Sequence, residues 1–393
     1  MSDAATEGPR TGVRSLFPGY YPPDSDELKR FVTEGLVVLD TNALLDIYRF
    51  TDDARSEYVQ ALSLLDDRLW VPHRTAHEFL DRRTTVIRSR SAERAEFNEA
   101  LNGALAEATD AILHYAKRRG LSPGDVQSIT ALIDDAQQNI QETLDEVVDC
   151  GTAIDPDCHP DSDPILKQIE EVADGKIGKQ SSDPKQLAAL EKTWQTRLAA
   201  KIPPGYEDAK KGDRSIGDYL VWHQTLEEAK RRRGMRVLMI SNEQKPDWVR
   251  RDGSHIGPRP ELVKEMRDYA DRAFHLIDVR TFLKLANEYL SARISESTVD
   301  EASRLGDNSK LEAAKRQLEQ LDRQIQMAGM ELERAHAQYF DLSNNAPSVK
   351  SASFRRERDQ LATEIRYATH RHEELQVELD HHRRIVDVLT RGA

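Results

Sequence analysis

Apolar residues in this chain fall into two rhythms. Short unbroken runs, Leu36-Val37-Val38-Leu39, Leu69-Trp70-Val71, Val237-Leu238-Met239-Ile240 and Phe274-His275-Leu276-Ile277, stand between long stretches whose apolar positions recur every three to four residues. Unbroken runs of this length read as strands covered on both faces, and the recurring positions read as helices. The predicted order opens with a helix over Ser25–Glu34, a strand at Leu36–Leu39 and helices over Asn42–Phe50 and Asp52–Leu65. A strand at Leu69–Pro72, stopped by its proline, leads to a helix opening near Thr75. Helical periodicity then fills residues 91–200, with breaks at Gly120–Gly124, Gly151–Pro164 and Gly175–Pro184. That segment reads as a helical insertion or lid. A helix over Asp218–Arg231 and the last two strands follow, and strands alternating with helices predict a largely parallel α/β sheet.

The rhythm changes again beyond about Ser295. Leu311, Ala314, Leu318, Leu321, Ile325, Ala328, Leu332, Ala335 and Tyr339 alternate steps of three and four, which is a heptad seam. Ser343–Ser348 interrupts it, and a second seam runs through Phe354, Leu361, Ile365, Ala368, Leu375, Leu379, Val386 and Leu389. Two long helices joined by a turn predict an antiparallel coiled-coil hairpin. The expected organisation is a leader over 1–24, an α/β domain over 25–292 with its insertion at about 91–200, a linker over 293–309 and the hairpin over 310–393.

Composition adjusts this picture only slightly. A chain of 393 residues has room for two units, and 32% charged residues point to long solvated helices beside a smaller core. The net charge of −13 argues against a uniformly basic nucleic-acid coat but leaves local basic patches open. Cys150 and Cys158 are too few for a disulfide scaffold and lack a zinc-like spacing, which fits a reducing cytoplasm. The start has no signal-like apolar segment, and the apolar runs are far too short to span a bilayer, so no membrane association is expected.

Chemistry concentrates where the strands stop. Asp40-Thr41-Asn42 follows the first, Ser241-Asn242-Glu243 follows the third, and Asp218 opens the intervening helix. Open α/β sheets put their sites at strand ends, and clustered carboxylates suit a hard divalent cation, Mg²⁺ or Mn²⁺. With such a cation, phosphodiester hydrolysis needs no Ser, Cys or His nucleophile. Each acid also has a plain alternative: Asp40 and Asp218 are favoured helix-start residues, and Glu78 is a favourable charge in a first turn.

Taken together, these residues resemble the PIN domain nucleases, in a bacterial PIN-like subgroup with a helical insertion, over about Leu36–Ala286. The resemblance falls on Asp40 with Asn42, on Glu78, on Asp218, and on Pro203-Pro204-Gly205-Tyr206-x-Asp208, Lys245-x-Asp247-Trp248 and Arg259-Pro260-Glu261-Leu262. It implies a three-layer fold with a mainly parallel central sheet, and a catalytic and metal-holding set of Asp40, Glu78, Asp218 and Glu243. Asn42, Asp208, Asn242 and Asp247 stand as supporting residues. The fourth position departs from the subgroup: Ser241-Asn242-Glu243 stands where Ser or Thr followed by Asp is usual, so Asp247 is the alternative fourth acid.

The resemblance implies an endonuclease, RNA being the expected substrate, with a toxin or phage-defence role. Attack by water predicts 5′-phosphate and 3′-hydroxyl ends. Two other readings stay open: a catalytically weak scaffold that binds nucleic acid or a partner protein, and a DNA nickase or flap-type nuclease. Lys210, Lys211, Lys245, Arg250 and Arg251 are candidates for tracking phosphates, although such runs, Arg231–Arg233 included, more often form solvated faces. Trp222, Trp248 and His275 read as core, and the hairpin reads as a surface for self-association or for a partner.

Overall fold

Four apolar runs build the sheet that organises the first part of the chain. The structure is a computed structural model that describes residues 12–146, 154–155, 157–180, 183–207, 216–243, 245–252, 255–344 and 352–392. A turn of helix α1 (Val13–Leu16) precedes α2 (Ser25–Glu34), whose start is fixed by a reciprocal capping box between Asp24 and Glu27. Then come β1 (Leu36–Leu39), α3 (Thr41–Arg49), α4 (Asp52–Ser63), β2 (Leu69–Trp70), α5 (His73–Arg119) and α6 (Pro123–Leu144). They are followed by α7 (Pro164–Ala173), α8 (Pro184–Ala199), α9 (Gly217–Arg231) and β3 (Val237–Ile240). The domain closes with β4 (Val249–Asp252), β5 (His255–Pro258), α10 (Pro260–Ala270), β6 (Phe274–Ile277) and α11 (Val279–Tyr289).

The sheet order is β2-β1-β3-β6, and every pairing is parallel, with Leu36 opposite Val237 and Val237 opposite Phe274. Helices cover both faces, so each residue of β1, β3 and β6 is buried. That double burial is why the strands read as unbroken apolar runs. Trp222 of α9 is fully buried edge-on against Phe274, with ring centroids 4.9 Å apart, and His275 is buried near Phe31, so both serve the core as predicted.

Three departures from the sequence-based expectation stand out. The antiparallel hairpin β4–β5 is not predicted by the apolar pattern, because Val249-Arg250-Arg251-Asp252 and His255-Ile256-Gly257-Pro258 carry too few apolar residues to read as strands. The 91–200 segment is helical, as expected of an insertion, but it divides into two parts. Residues 91–119 continue the helix that begins at His73, and α5 and α6 pair as an arm through half-buried Leu101, Leu105, Ile112, Val126, Ile133 and Leu144. By contrast, α7 and α8 pack into the body. Asp163, fully buried at the start of α7, accepts from Tyr48 Oη at 2.6 Å and Arg83 Nη1 at 2.8 Å, while Trp194 of α8 stacks on Tyr219.

The third departure is the expected linker. Residues from Glu296 are already helical, the first turns of α12 (Glu296–Asn344). The chain divides into two units at Ser303/Arg304. In the second, α12 and α13 (Ala352–Gly392) form the predicted antiparallel pair, with a core of Leu321, Ala328, Leu375 and Leu379. Arg371–Glu331 at 3.6 Å and Arg383–Asp322 at 3.9 Å link the helices at the surface, where such pairs contribute little. Among the described residues no helix is long and apolar enough to cross a membrane.

Candidate active site at the carboxyl edge of the sheet

Parallel strands all end, and their following helices all begin, along one edge, so residues distant in sequence meet there. Asp40 follows β1 directly, Glu78 lies in the second turn of α5, Asp218 is the second residue of α9, and Ser241-Asn242-Glu243 continues β3. Helix α9 runs back before β3 begins, which returns its first turn to this edge.

Asp40 occupies the cap position of α3, yet its side chain makes no capping bond. Its Oδ2 instead accepts from the Ser241 hydroxyl at 2.7 Å, joining the ends of β1 and β3. Burial pushes the Asp40 carboxyl up to about 7; the Ser241 hydroxyl opposes the shift, and the charges of Glu243, Glu78 and Asp218 add to it. The other three predicted acids therefore all bear on the Asp40 carboxyl group. Glu78 accepts from the buried Thr41 hydroxyl at 3.3 Å and from Arg82 Nη1, one turn on, at 3.0 Å.

The other two acids have a different partner. Lys245 Nζ lies 3.1 Å from Asp218 Oδ2 and 3.2 Å from Glu243 Oε2. The Trp248 indole N–H also donates to Asp218 Oδ2, at 3.3 Å, and Glu243 Oε1 accepts the Lys245 backbone N–H at 3.0 Å. Neither Asp218 nor Glu243 is a simple helix-start or turn residue in this arrangement.

The supporting residues divide. Asn242 ties elements together: its Nδ2 donates to buried Asp46 at 2.5 Å and its Oδ1 accepts from Val279 N at 3.2 Å. Asn42, half-buried in the first turn of α3, makes no hydrogen bond to any of these acids among the described residues. Asp247 is fully buried, and its Oδ2 accepts the backbone N–H groups of Gly205 at 2.8 Å and Glu207 at 3.2 Å. Its Oδ1 is buried without a partner among the described residues, and burial pushes this carboxyl up to about 6. Asp247 therefore latches the loop before α9. Gly205 is needed there, at φ +96°, because a Cβ would stand 3.1 Å from the Trp194 ring and 3.2 Å from Asp218 Cβ.

Of the basic candidates, Lys245 sits inside the acid cluster, and Arg250 lies on β4 with its guanidinium 4.8 Å from the centroid of the Tyr20 ring. Arg251 is exposed on the same strand, and Arg231 and Arg232 pair with Glu228. Asp208, Lys210 and Lys211 lie outside the described residues. Sequence reasoning missed Thr41 and Ser241, whose one signal is a hydroxyl residue adjoining a strand-end position.

Oxygen donors of this kind fit a hard divalent cation by their chemistry. In the arrangement seen, no three His, Cys, Asp or Glu side chains among the described residues stand close enough to close a metal-binding group.

A family model described as PIN like domain matches residues 36–262. The chain belongs to the PIN-like family. The match spans Asp40, Glu78, Asp218 and Glu243, together with Lys245 and Asp247. No curated protein and no solved structure matches the chain. A PIN-like domain is a nuclease-type fold, and the parallel sheet with its acids at the carboxyl edge agrees with that class.

Proposed function

We propose that the PIN-like domain is a metal-dependent endonuclease that hydrolyses phosphodiester bonds in RNA. The observation that carries the proposal is the electrostatic crowding of Asp40 by Glu78, Asp218 and Glu243, four acids brought from four separate elements to one sheet edge. Asp40, Glu78 and Asp218 would hold the principal Mg²⁺ or Mn²⁺, and Glu243 would serve a second, weaker position. The cation, when bound, supplies charge neutralisation at the scissile phosphate and activation of water. Thr41 and Ser241 orient the carboxylates, as hydrogen-bonded outer partners do for metal ligands generally. Asp40 keeps its proton to about pH 7 in the metal-free chain, so it would have to be deprotonated to hold a cation, and metal affinity would rise with pH. Asp247, engaged by two backbone N–H groups, is assigned to the loop rather than to the cation.

RNA is favoured over DNA on the family resemblance alone, since carboxylates and a cation do not distinguish sugars. A toxin or phage-defence effector is the biological setting that resemblance suggests. One observation favours a second reading, a weakly catalytic scaffold: an ammonium already neutralises part of the acid set.

Purified protein and its Asp40→Asn/Asp218→Asn variant, incubated with labelled single-stranded RNA, single-stranded DNA and duplexes in Mg²⁺, Mn²⁺ or EDTA, decide between them. Cleavage of RNA that requires metal, vanishes in the variant and leaves 5′-phosphate ends supports the proposal. DNA cleavage moves the substrate, a 2′,3′-cyclic phosphate rules out the water mechanism, and binding without cleavage supports the scaffold.

A further inference from the structure

Lys245 is a candidate for tracking phosphates by its sequence, yet its ammonium lies between two of the four acids. The turn that carries it is built to deliver it there. Asp247, two residues on, is buried and anchored to the Gly205–Glu207 backbone, and Trp248 is buried edge-on against Trp222. From that fixed turn Lys245 Nζ and the Trp248 N–H converge on the same oxygen, Asp218 Oδ2. Glu243 folds back on the turn from the other side, giving one oxygen to the Lys245 backbone N–H and the other to its ammonium. The extra methylene that distinguishes Glu243 from an Asp gives the side chain reach for this double engagement. Lys245, Asp218 and Glu243 are 28%, 23% and 19% exposed, so the charges are only partly screened by water.

We propose that Lys245 is a resident counter-cation, a positioning residue that holds Asp218 and Glu243 together and competes with a divalent metal for them. The inference rests on the metal-site reading above. Two carboxylates at a sheet edge already crowded with negative charge repel one another unless a cation stands between them, and Lys245 supplies one in the metal-free protein. A divalent ion recruited to the same oxygens must evict the ammonium, which its flexible four-carbon stem allows. The consequence is a metal affinity set below what the acids alone would give.

The test is direct Mn²⁺ binding, followed by electron paramagnetic resonance of free Mn²⁺, together with the melting temperature in EDTA and in Mn²⁺. It is applied to the full chain, to Lys245→Met and Lys245→Gln, and to Lys245→Arg as the charge-conserving control. Losing the competitor is expected to tighten Mn²⁺ binding about tenfold, the scale of one partly buried ion pair, in both neutral variants. Their melting temperature in EDTA should fall, and Mn²⁺ should raise it by more than in the parent chain. Lys245→Arg should stay near the parent on both measures. Unchanged or weaker Mn²⁺ binding in both neutral variants, with parent binding still abolished by Asp40→Asn, overturns the counter-cation and leaves the metal site standing. Parent binding that ignores Asp40→Asn brings down both. Should Lys245→Met fail to fold, Lys245→Gln keeps a polar side chain at the site, and its Mn²⁺ affinity alone supports or overturns the counter-cation.

Discussion

Two sides of the acid cluster are held by different chemistry. On the side where β1 meets β3, Asp40 leans on a serine hydroxyl at 2.7 Å, and its carboxyl is pushed up to about 7. Where α9 faces the turn after β3, Asp218 and Glu243 share an ammonium within 3.2 Å. A hydroxyl orients a carboxylate without neutralising it, whereas an ammonium does both. The central carboxyl, on Asp40, thus has no cation beside it and keeps its proton to about pH 7, whereas the charge at the edge is already balanced. The central acid should control whether a cation is held at all, and the edge pair should tune how tightly.

The sharpest break is Asp40→Asn, which should lower the cleavage rate by well over about 100-fold, more than loss of an outer-shell partner typically costs, with little change in circular dichroism. Next is Asp247→Ala, which strips the acceptor from two backbone N–H groups and releases the turn carrying Lys245. A loss of about 3 kcal/mol of stability is expected from urea titration. The same residue gives a pH signature. Asp247 binds its proton up to about pH 6 in the folded protein and only to about pH 4 unfolded, so the folded state holds more protons between those values. Stability in EDTA should fall by about 3 kcal/mol as pH rises through that window and then level off; Asp40 extends the decline toward pH 7, and Asp247→Asn should flatten its share. The smallest effect expected is Glu243→Gln, about a tenfold loss of rate, since its charge is already matched by Lys245. A loss as large as that of Asp40→Asn would show the two sides to be equivalent.

Much of this could be read from the chain, for reasons that differ by element. The strands Leu36–Leu39, Val237–Ile240 and Phe274–Ile277 were legible because both faces are buried and nothing polar interrupts them. The β4–β5 hairpin was not, because Arg250, Arg251 and Asp252 give no apolar alternation, although Asp252-Gly253 is a hairpin signal in its own right. The coiled-coil seams were plain, but the start of α12 at Glu296 was obscured because its first turns lack the seam. In the site, Asp40, Glu78 and Asp218 stood out by their places at strand and helix ends. The role of Lys245 did not, since an ammonium folding back on Glu243, two residues earlier, depends on a turn that Asp247 fixes from afar.

Helix α5 carries Glu78 in its second turn and then continues unbroken to Arg119, about 60 Å farther along its axis at 1.5 Å per residue. Acid and arm share a single backbone rod. An insertion of one residue beyond Ser91 leaves Glu78 where it is but turns every later side chain of α5 by about 100°, presenting a new face of the arm at no cost to the acid. Steps of three or four residues nearly restore the old face, and seven restores it more closely still. The arm can therefore be lengthened, shortened or re-aimed in discrete clicks while the chemistry at its root stays fixed.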